Sequence, residues 1–134
     1  MSGFSTTEGD AMMASAICMK VTTDRPADLW LGLFTNSAAT SAITFSTVTQ
    51  PTGTGYALIT LTDASWTGAA AIRSYAKQTF TAGAGGFTGS IYGYFIATKS
   101  GGTQRVIWME IDPAGPYTMA SGDTYDVTPS VTFA

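Results

Sequence analysis

The feature that most restricts the fold is a strict alternation of apolar and polar residues over residues 124–133. Successive side chains of a β-strand point to opposite faces, so this period of two predicts a strand with one buried face. One apolar position is a proline, Pro129, which has no N–H to donate to a neighbouring strand and is therefore expected at a sheet edge or a bulge. The apolar face is formed by Tyr125, Val127, Pro129, Val131 and Phe133.

Short apolar runs separated by turns continue through most of the chain. Residues 29–34 are apolar on both faces, which predicts a central strand covered on both sides. Residues 99–103 carry two glycines between two further runs and predict a hairpin loop. Strands with turns about every 8–12 residues predict a mainly β fold, an antiparallel β-sandwich or jelly roll, in a single domain over residues 1–134. The other strands are predicted at 42–50, 56–62, 75–81, 90–98 and 105–111.

One short α-helix is predicted within the N-terminal segment, residues 1–23. Ser5 and Glu8 have the spacing of a capping box, in which each side chain bonds the main-chain N–H of the other residue. The β-branched residues and the proline within 22–26 cannot continue a helix and predict its end. One apolar stripe at helical spacing runs between these signals, at Met12, Ala16 and Met19.

The composition is poor in reactive and charged side chains. The chain has no histidine, one cysteine and 11% charged residues, where about 25% is typical, but it has 23 threonines and 15 glycines. Threonine and serine lose less rotamer entropy than lysine or glutamate when they are immobilised, so this surface suits contact with neighbouring proteins. Cys18 has no disulfide partner and no histidine to activate it, and is expected to be a buried apolar side chain. No catalytic, cofactor-binding or metal-binding residues are predicted.

The charge pattern disfavours two classes of partner. The net charge is −3 and the six basic residues are scattered, which speaks against binding to nucleic acid or to an anionic membrane. Glu8 and Asp10 stand where a signal peptide would carry positive charge, and the longest apolar stretch, 11–19, is about half a membrane span. Synthesis and folding in a cytoplasm is therefore the expectation.

Two pairs of carboxylates are the strongest candidates for chemistry. Glu110 and Asp112 stand two apart on a predicted strand and so share a face, as an acid and a base acting on a sugar would. Asp112, followed by Pro113, is more simply a turn residue at the end of a strand. Asp123 and Asp126 could coordinate calcium, but their spacing matches no EF-hand loop, and turn residues are the simpler interpretation.

A glycine-rich segment and the aromatic residues are two further candidates. Residues 83–89 (GAGGFTG) fit neither the dinucleotide nor the P-loop pattern and lie between predicted strands, which indicates a flexible loop. Tyr92 and Tyr94 share one face of their predicted strand. Ile91 and Phe95 share the other face, so both faces are expected to be covered by a second sheet or by another subunit. A sugar-binding platform, the alternative to core aromatics, would draw on Trp30, Trp66, Trp108 and six tyrosines.

Several short segments stand in a definite order along nearly the whole chain. They are residues 7–14 (TEGDAMMA), 31–36 (LGLFTN), 55–61 (GYALITL) with Trp66 after it, 78–81 (QTFT), 91–96 (IYGYFI), 108–110 (WME), and 121–123 (SGD) leading to 127–129 (VTP). In their order and spacing they resemble a family of small structural proteins of tailed bacteriophages. The first segment is similar to the short amphipathic helix of that family.

The resemblance implies a virion component rather than an enzyme, namely a capsid decoration, or cement, protein without a cofactor. Such a protein is made in the host cytoplasm, binds the major capsid protein on the capsid exterior and forms a homo-oligomer, a trimer or a dimer. The alternative is a tail or fibre subunit that binds carbohydrate through exposed aromatics. The contact with neighbouring subunits is predicted to involve Phe4, Met12, Met13, Tyr92 and Tyr94.

Overall fold

The chain is mainly β with one α-helix in the computed structural model, which describes residues 2–18, 28–99 and 103–132. The expected fold class, antiparallel β with a short N-terminal helix, is confirmed. The elements are β1 (Ser2–Ser5), α1 (Thr7–Cys18), β2 (Leu29–Phe34), β3 (Ile59–Leu61), β4 (Ile72–Ser74), β5 (Gln78–Thr81), β6 (Gly93–Thr98), β7 (Val106–Ile111), β8 (Thr124–Val127) and β9 (Ser130–Thr132). A turn of 3-10 helix, Asp63–Ser65, follows β3.

β2 is an interior strand of the largest sheet, as its apolar sequence predicts. The five antiparallel strands of this sheet have the order β1-β7-β6-β2-β3. β2 pairs with β6 on one side and β3 on the other, so that Leu31 lies opposite both Ile96 and Ile59. β6 and β7 pair as the predicted hairpin, with a register shift between Ile96 and Ala97, where β7 has one extra residue, Ile107. The outer strands are therefore β1 and β3.

Alternate residues of the strands in this sheet point to opposite faces and belong to two different apolar clusters. Both faces of the sheet are therefore covered by side chains. On one face, Leu31 packs in a cluster with Phe80 of the β5–β8 pair and Val131 of the β4–β9 pair. On the other face, Phe95 packs in a cluster with Val48, which lies between β2 and β3. The layer over the first face consists of two separate two-stranded sheets. The sandwich or jelly-roll arrangement therefore stays a prediction.

Residues 42–50 do not form the predicted strand. The N–H of Thr44 donates to Thr47 Oγ1 at 2.9 Å, and the N–H of Thr47 donates to the carbonyl of Thr44 at 3.1 Å. Hydroxyl side chains compete with a sheet ladder in this way because they offer the main chain a local partner. Val48, with 8% of its surface exposed, joins the core from this turn.

The alternating segment near the C-terminus forms two strands rather than one. β8 pairs with β5 and β9 pairs with β4, and the chain passes between them at Thr128 and Pro129. Pro129 is buried, and its carbonyl accepts a hydrogen bond from the N–H of Tyr75 at 2.9 Å. Val127 and Val131 are both buried, as the alternation predicts. The last apolar position, Phe133, lies outside the described residues.

The helix begins one residue later than the capping-box pattern predicts. Its cap is Thr6, whose Oγ1 accepts from the N–H of Gly9 at 3.0 Å and whose carbonyl accepts from the N–H of Asp10 at 2.9 Å. Ser5 is instead the last residue of β1, opposite Trp108 of β7. The sequence patterns do not predict β1, because a four-residue strand is too short to display a period.

The C-terminal end of α1 lies at the surface. Cys18 is exposed there, so the expectation of a buried cysteine is wrong. The hydrogen bonds between the helix and β7 come from its start, at Thr6 and Glu8. Met12 of the predicted stripe is buried, with 8% exposed. The side chains of Ala16 and Met19, and the predicted helix end at 22–26, lie outside the described part of the chain.

Candidate interaction surface

The start of α1 is attached to β7 by two side chains that continue the hydrogen bonds of β1. Strand β1 ends at Ser5, so the main chain of Val106, further along β7, has no strand beside it on the β1 side, whereas on its other side it lies opposite Ala97 of β6. The hydroxyl of Thr6 donates to the carbonyl of Val106, and Glu8 Oε2 accepts from the Val106 N–H at 2.8 Å. Both main-chain groups of Val106 are thereby satisfied, which buried peptide groups require.

Glu8 also binds the turn that follows β2. Its Oε2 accepts a second hydrogen bond, from the N–H of Phe45 at 3.1 Å. One carboxylate oxygen therefore connects the helix, β7 and the turn that follows β2. Hydrogen bonds to an ionised acceptor are stronger than neutral ones, so this oxygen is a main support of the local structure.

Gly9 allows the helix to lie directly on β7. A Cβ atom at this position would stand 2.6 Å from the Cα of Ile107, a main-chain atom that cannot rotate away. No other residue type lacks this carbon, so the close approach of the helix to the strand requires glycine here.

We expect Gly9→Ala to lower the free energy of unfolding by about 1–3 kcal/mol, because the methyl group overpacks the contact with Ile107. At an open helical position, by contrast, a change from glycine to alanine stabilises a protein by about 1 kcal/mol. A close contact with Ile107 therefore predicts a lower free energy of unfolding, and an open position predicts a higher one. Urea denaturation followed by circular dichroism measures the difference. Ala11→Gly, at an exposed position of the same helix, is the control, with an expected loss of about 1 kcal/mol. A stabilised Gly9→Ala variant would contradict the close contact.

A groove of about 600 Å³ runs beside β1 and the helix. Its walls include Phe4 and Met13, two residues predicted to contact neighbouring subunits, and both are half-buried. Asp10 is exposed at the same groove and gives it a negative charge. The remaining walls are Gly3, Ser5, Trp108 and Thr132.

The other three predicted interface residues lie elsewhere. Met12 and Tyr94 are buried in the chain itself, with 8% and 2% exposed, so neither side chain presents a surface to a partner. Tyr92 is half-buried and packs with the Phe95 cluster, whereas Tyr94 belongs to the cluster on the opposite face. The expectation that the two tyrosines share a face is therefore wrong, because β6 begins only at Gly93 and Tyr92 lies outside the regular strand.

β1 is an open edge of the five-stranded sheet, with β7 as its one strand neighbour among the described residues. The N–H of Thr6 donates to the carbonyl of Ile107 on β7. Along an antiparallel strand, residues whose main-chain groups point toward one neighbouring strand alternate with residues whose groups point away from it. The main-chain groups of Gly3 and Ser5 therefore point away from β7. The edge has no charged residue and no proline, the features that usually protect an open strand from pairing.

The carboxylates Glu110 and Asp112 are each bound by a tyrosine hydroxyl. Tyr94 donates to Glu110, and Tyr125 donates to Asp112 at 2.8 Å. Burial raises the pKa of both tyrosines above the usual range, and the hydrogen bonds to the carboxylates raise it further. Asp112 also accepts from the N–H of Ala114 at 3.0 Å, which confirms its role at a strand-end turn. The two carboxylates thus bind the hydroxyls of two different tyrosines, one on β6 and one on β8.

Asp123 and Asp126 also have separate partners. Asp123 accepts from the N–H of Ala120 at 2.9 Å and closes a turn, as its interpretation as a turn residue predicts. Asp126 accepts from Thr79 Oγ1 at 2.6 Å and lies 3.6 Å from the Lys77 ammonium group. The hydrogen bond from Thr79 is the main cause that lowers the pKa of Asp126. Across residues 2–18, 28–99 and 103–132, no group of three or more metal-ligating side chains comes together.

The glycine-rich segment 83–89 is a loop between β5 and β6, as expected. The N–H of Gly86 donates to the carbonyl of Gly83 at 3.0 Å, which makes a tight turn. Gly86 has a φ of 71°, a left-handed conformation that glycine adopts without strain. The segment connects strands and precedes no helix, so it lacks the geometry of a phosphate-binding loop.

The three tryptophans occupy three separate places. Trp108 is buried, with 6% exposed. Trp30 stacks on Phe45 with ring centroids 6.1 Å apart, and Trp66 meets Tyr75 edge to face at 5.4 Å. They do not assemble into one aromatic platform, and Trp66 is half-buried against the core.

Comparisons with models of protein families, with curated proteins and with solved structures find no match for this chain. Within the residues that the structure describes, none of the helical segments has the length and apolarity that crossing a membrane takes. Function has to be inferred from the surface of the chain itself, where the open edge of β1 and its groove are the most distinctive feature.

Proposed function

We propose that the protein is a structural component of a phage virion, a capsid decoration protein that binds the outside of the major capsid lattice through β1 and its groove. The observation that carries this proposal is the open, uncharged edge at Gly3 and Ser5 beside the apolar side chains of Phe4 and Met13. An edge of this kind can add an extended segment of another protein as a further strand. The partner is the major capsid protein.

The rest of the surface supports the same role. Only 11% of the residues are charged, and threonine is abundant, so little side-chain entropy is lost when the surface is covered. The proposed assembly state is a trimer or dimer on the capsid exterior, formed after synthesis in the host cytoplasm. A negative net charge is compatible with a position outside the shell, away from packaged nucleic acid.

Met13→Glu should reduce binding to decoration-free capsids at least about tenfold, because a carboxylate would then be buried against the partner without a countercharge. The matched control is Ala14→Glu, the same charge change at an exposed position beside it that does not line the groove. Co-sedimentation with capsids measures occupancy, and circular dichroism verifies that both variants fold. Equal loss of binding in both variants would exclude the groove as the contact. No binding of the wild-type chain to capsids, together with unchanged heat resistance of the heads, would exclude the decoration function.

Trp66, which is only partly buried and lines a pocket, favours a second candidate, a tail or fibre subunit that binds carbohydrate. Its pocket neighbours Leu29, Ile107 and Val131 are apolar, so only Arg73 offers side-chain hydrogen bonds to sugar hydroxyls, which makes this candidate the weaker one. A glycan array distinguishes the two: saturable glycan binding that Trp66→Ala abolishes would replace the capsid proposal.

A further inference from the structure

A second, smaller pocket lies between the central sheet and the β4–β9 pair, with a volume of about 240 Å³. Four of its five lining residues are apolar and one, Arg73, is a cation. The volume corresponds to about eight water molecules at about 30 Å³ each. Pockets for drug-sized ligands start at about 300 Å³, so this one fits a single ring or a short alkyl chain. The apolar residues are Leu29, Trp66, Ile107 and Val131.

Arg73 faces this pocket because of the strand register. It lies opposite Val131 in the β4–β9 pair, and residues opposite each other point to the same face. Val131 is buried against the central sheet, with 4% exposed, whereas Arg73 is exposed and therefore lines the pocket at its mouth.

Main-chain carbonyls hold the guanidinium group in place. Arg73 Nη1 donates to the carbonyl oxygens of Ala70 and Ile72, each at 2.9 Å. Ala70 has a φ of 54°, and among the described residues it is the one non-glycine residue with positive φ. A residue with a side chain is strained in this backbone conformation, and such strained residues cluster at functional sites, where the surrounding structure holds them in place. Here the strained turn directs a carbonyl at the arginine and fixes the orientation of its planar group.

Arg73 has no carboxylate partner within the described ranges, where the one ion pair joins Lys77 and Asp126. A guanidinium group presents parallel N–H donors whose spacing matches the two oxygens of a carboxylate. Among the described residues, the pocket thus combines apolar walls with an oriented cation at its mouth that has no carboxylate partner. We infer that it binds a small monocarboxylate with an apolar body, such as an aromatic ring or a short alkyl chain, whose acid group pairs with Arg73.

The chemistry of the site excludes other small ligands. A neutral apolar molecule would gain no ion pair with Arg73, and a sugar would leave most of its hydroxyls unpaired against four apolar walls. Acetate would reach the cation without filling the pocket. This pocket shares no lining residue with the groove beside β1, so its test does not depend on the proposed capsid function.

The test is a titration of the ¹⁵N-labelled full chain with benzoate, observed at the indole N–H of Trp66 and the Nε–H of Arg73. We expect saturable shifts of both signals with benzoate, binding weaker by about three- to tenfold with the neutral isostere benzamide, and no saturation with acetate. Arg73→Gln should lower the benzoate affinity to that of benzamide. Lys77→Gln, an equal charge change at an exposed site that does not line the pocket, should leave it unchanged.

Three results would overturn the inference: shifts that never saturate, equal affinities for benzoate and benzamide, or equal losses in the two variants. If Arg73→Gln fails to fold, the comparison of benzoate with benzamide on the wild-type chain still shows whether the charge of the acid group contributes to binding. Sedimentation velocity tests the rival occupant, a second copy of the chain. A dimer that benzoate dissociates would assign the pocket to subunit contact and would also overturn the inference.

Discussion

Glu8→Ala should lower the free energy of unfolding by about 2–5 kcal/mol, one of the two largest effects expected of a single substitution in this chain. The change leaves the N–H groups of Val106 and Phe45 without an acceptor, and an unsatisfied buried donor costs about 1–3 kcal/mol. Water reaches this half-buried site in part, which places the expected value below the full sum. Urea denaturation measures it, and the loss should appear without a change in the slope of the transition.

Glu8→Gln is the matched control. The amide oxygen can accept both hydrogen bonds but carries no charge, so we expect a loss of about 1 kcal/mol. Thr6→Val tests the neighbouring contact, since it keeps the volume but removes the donor to Val106 and the cap of Gly9. An alanine variant as stable as the glutamine variant would show that the carboxylate does not hold the helix to β7.

The sequence predicts which residues of the C-terminal segment are buried, but not which strands they pair with. A period of two decides the face of each side chain, and Val127 and Val131 are buried accordingly. Pairing depends on which edges lie nearby in the folded chain, and here two different strands, β4 and β5, are available. Because Pro129 cannot donate to a ladder, the chain changes partner there.

The helix cap shows the limit of local rules. Ser5 and Thr6 both carry a hydroxyl next to the helix, and the capping-box pattern prefers Ser5 because Glu8 stands three residues later. Glu8 instead binds the main chain of Val106, 98 residues further along the sequence. Local sequence patterns cannot predict a contact between residues so far apart in the sequence, because it depends on how the strands pair in the folded chain.

The positions of the candidate site residues also depend on how the strands pair. Phe4 and Met13 line a groove, as two apolar residues near the N-terminus can be expected to do, whereas Tyr94 is buried because register places its hydroxyl beside Glu110. Arg73 is one of six scattered cations in the sequence, and nothing local distinguishes it. Its position depends on β4, a three-residue strand without a sequence pattern.

Phe95→Ala should cost about 3–5 kcal/mol, the other of the two largest effects, because the side chain is fully buried in an interior strand and its removal leaves a cavity. Ile111→Ala is the control at the end of β7, where 41% of the side chain is exposed and the expected loss is smaller. Thermal and urea unfolding measure both.

A second substitution identifies the contact responsible. Gly32 lies opposite Phe95, and a Cβ atom on it would run into the phenylalanine ring. Gly32→Ala should therefore destabilise the wild-type chain by about 1–3 kcal/mol through overpacking. In the Phe95→Ala background the new methyl group enters vacated space, so its cost should fall by at least about 1 kcal/mol. Additive effects in this double-mutant cycle would mean that the ring does not pack on Gly32, and that the cost of Phe95→Ala arises from its other neighbours. A clear coupling would show that the ring of Phe95 packs on Gly32.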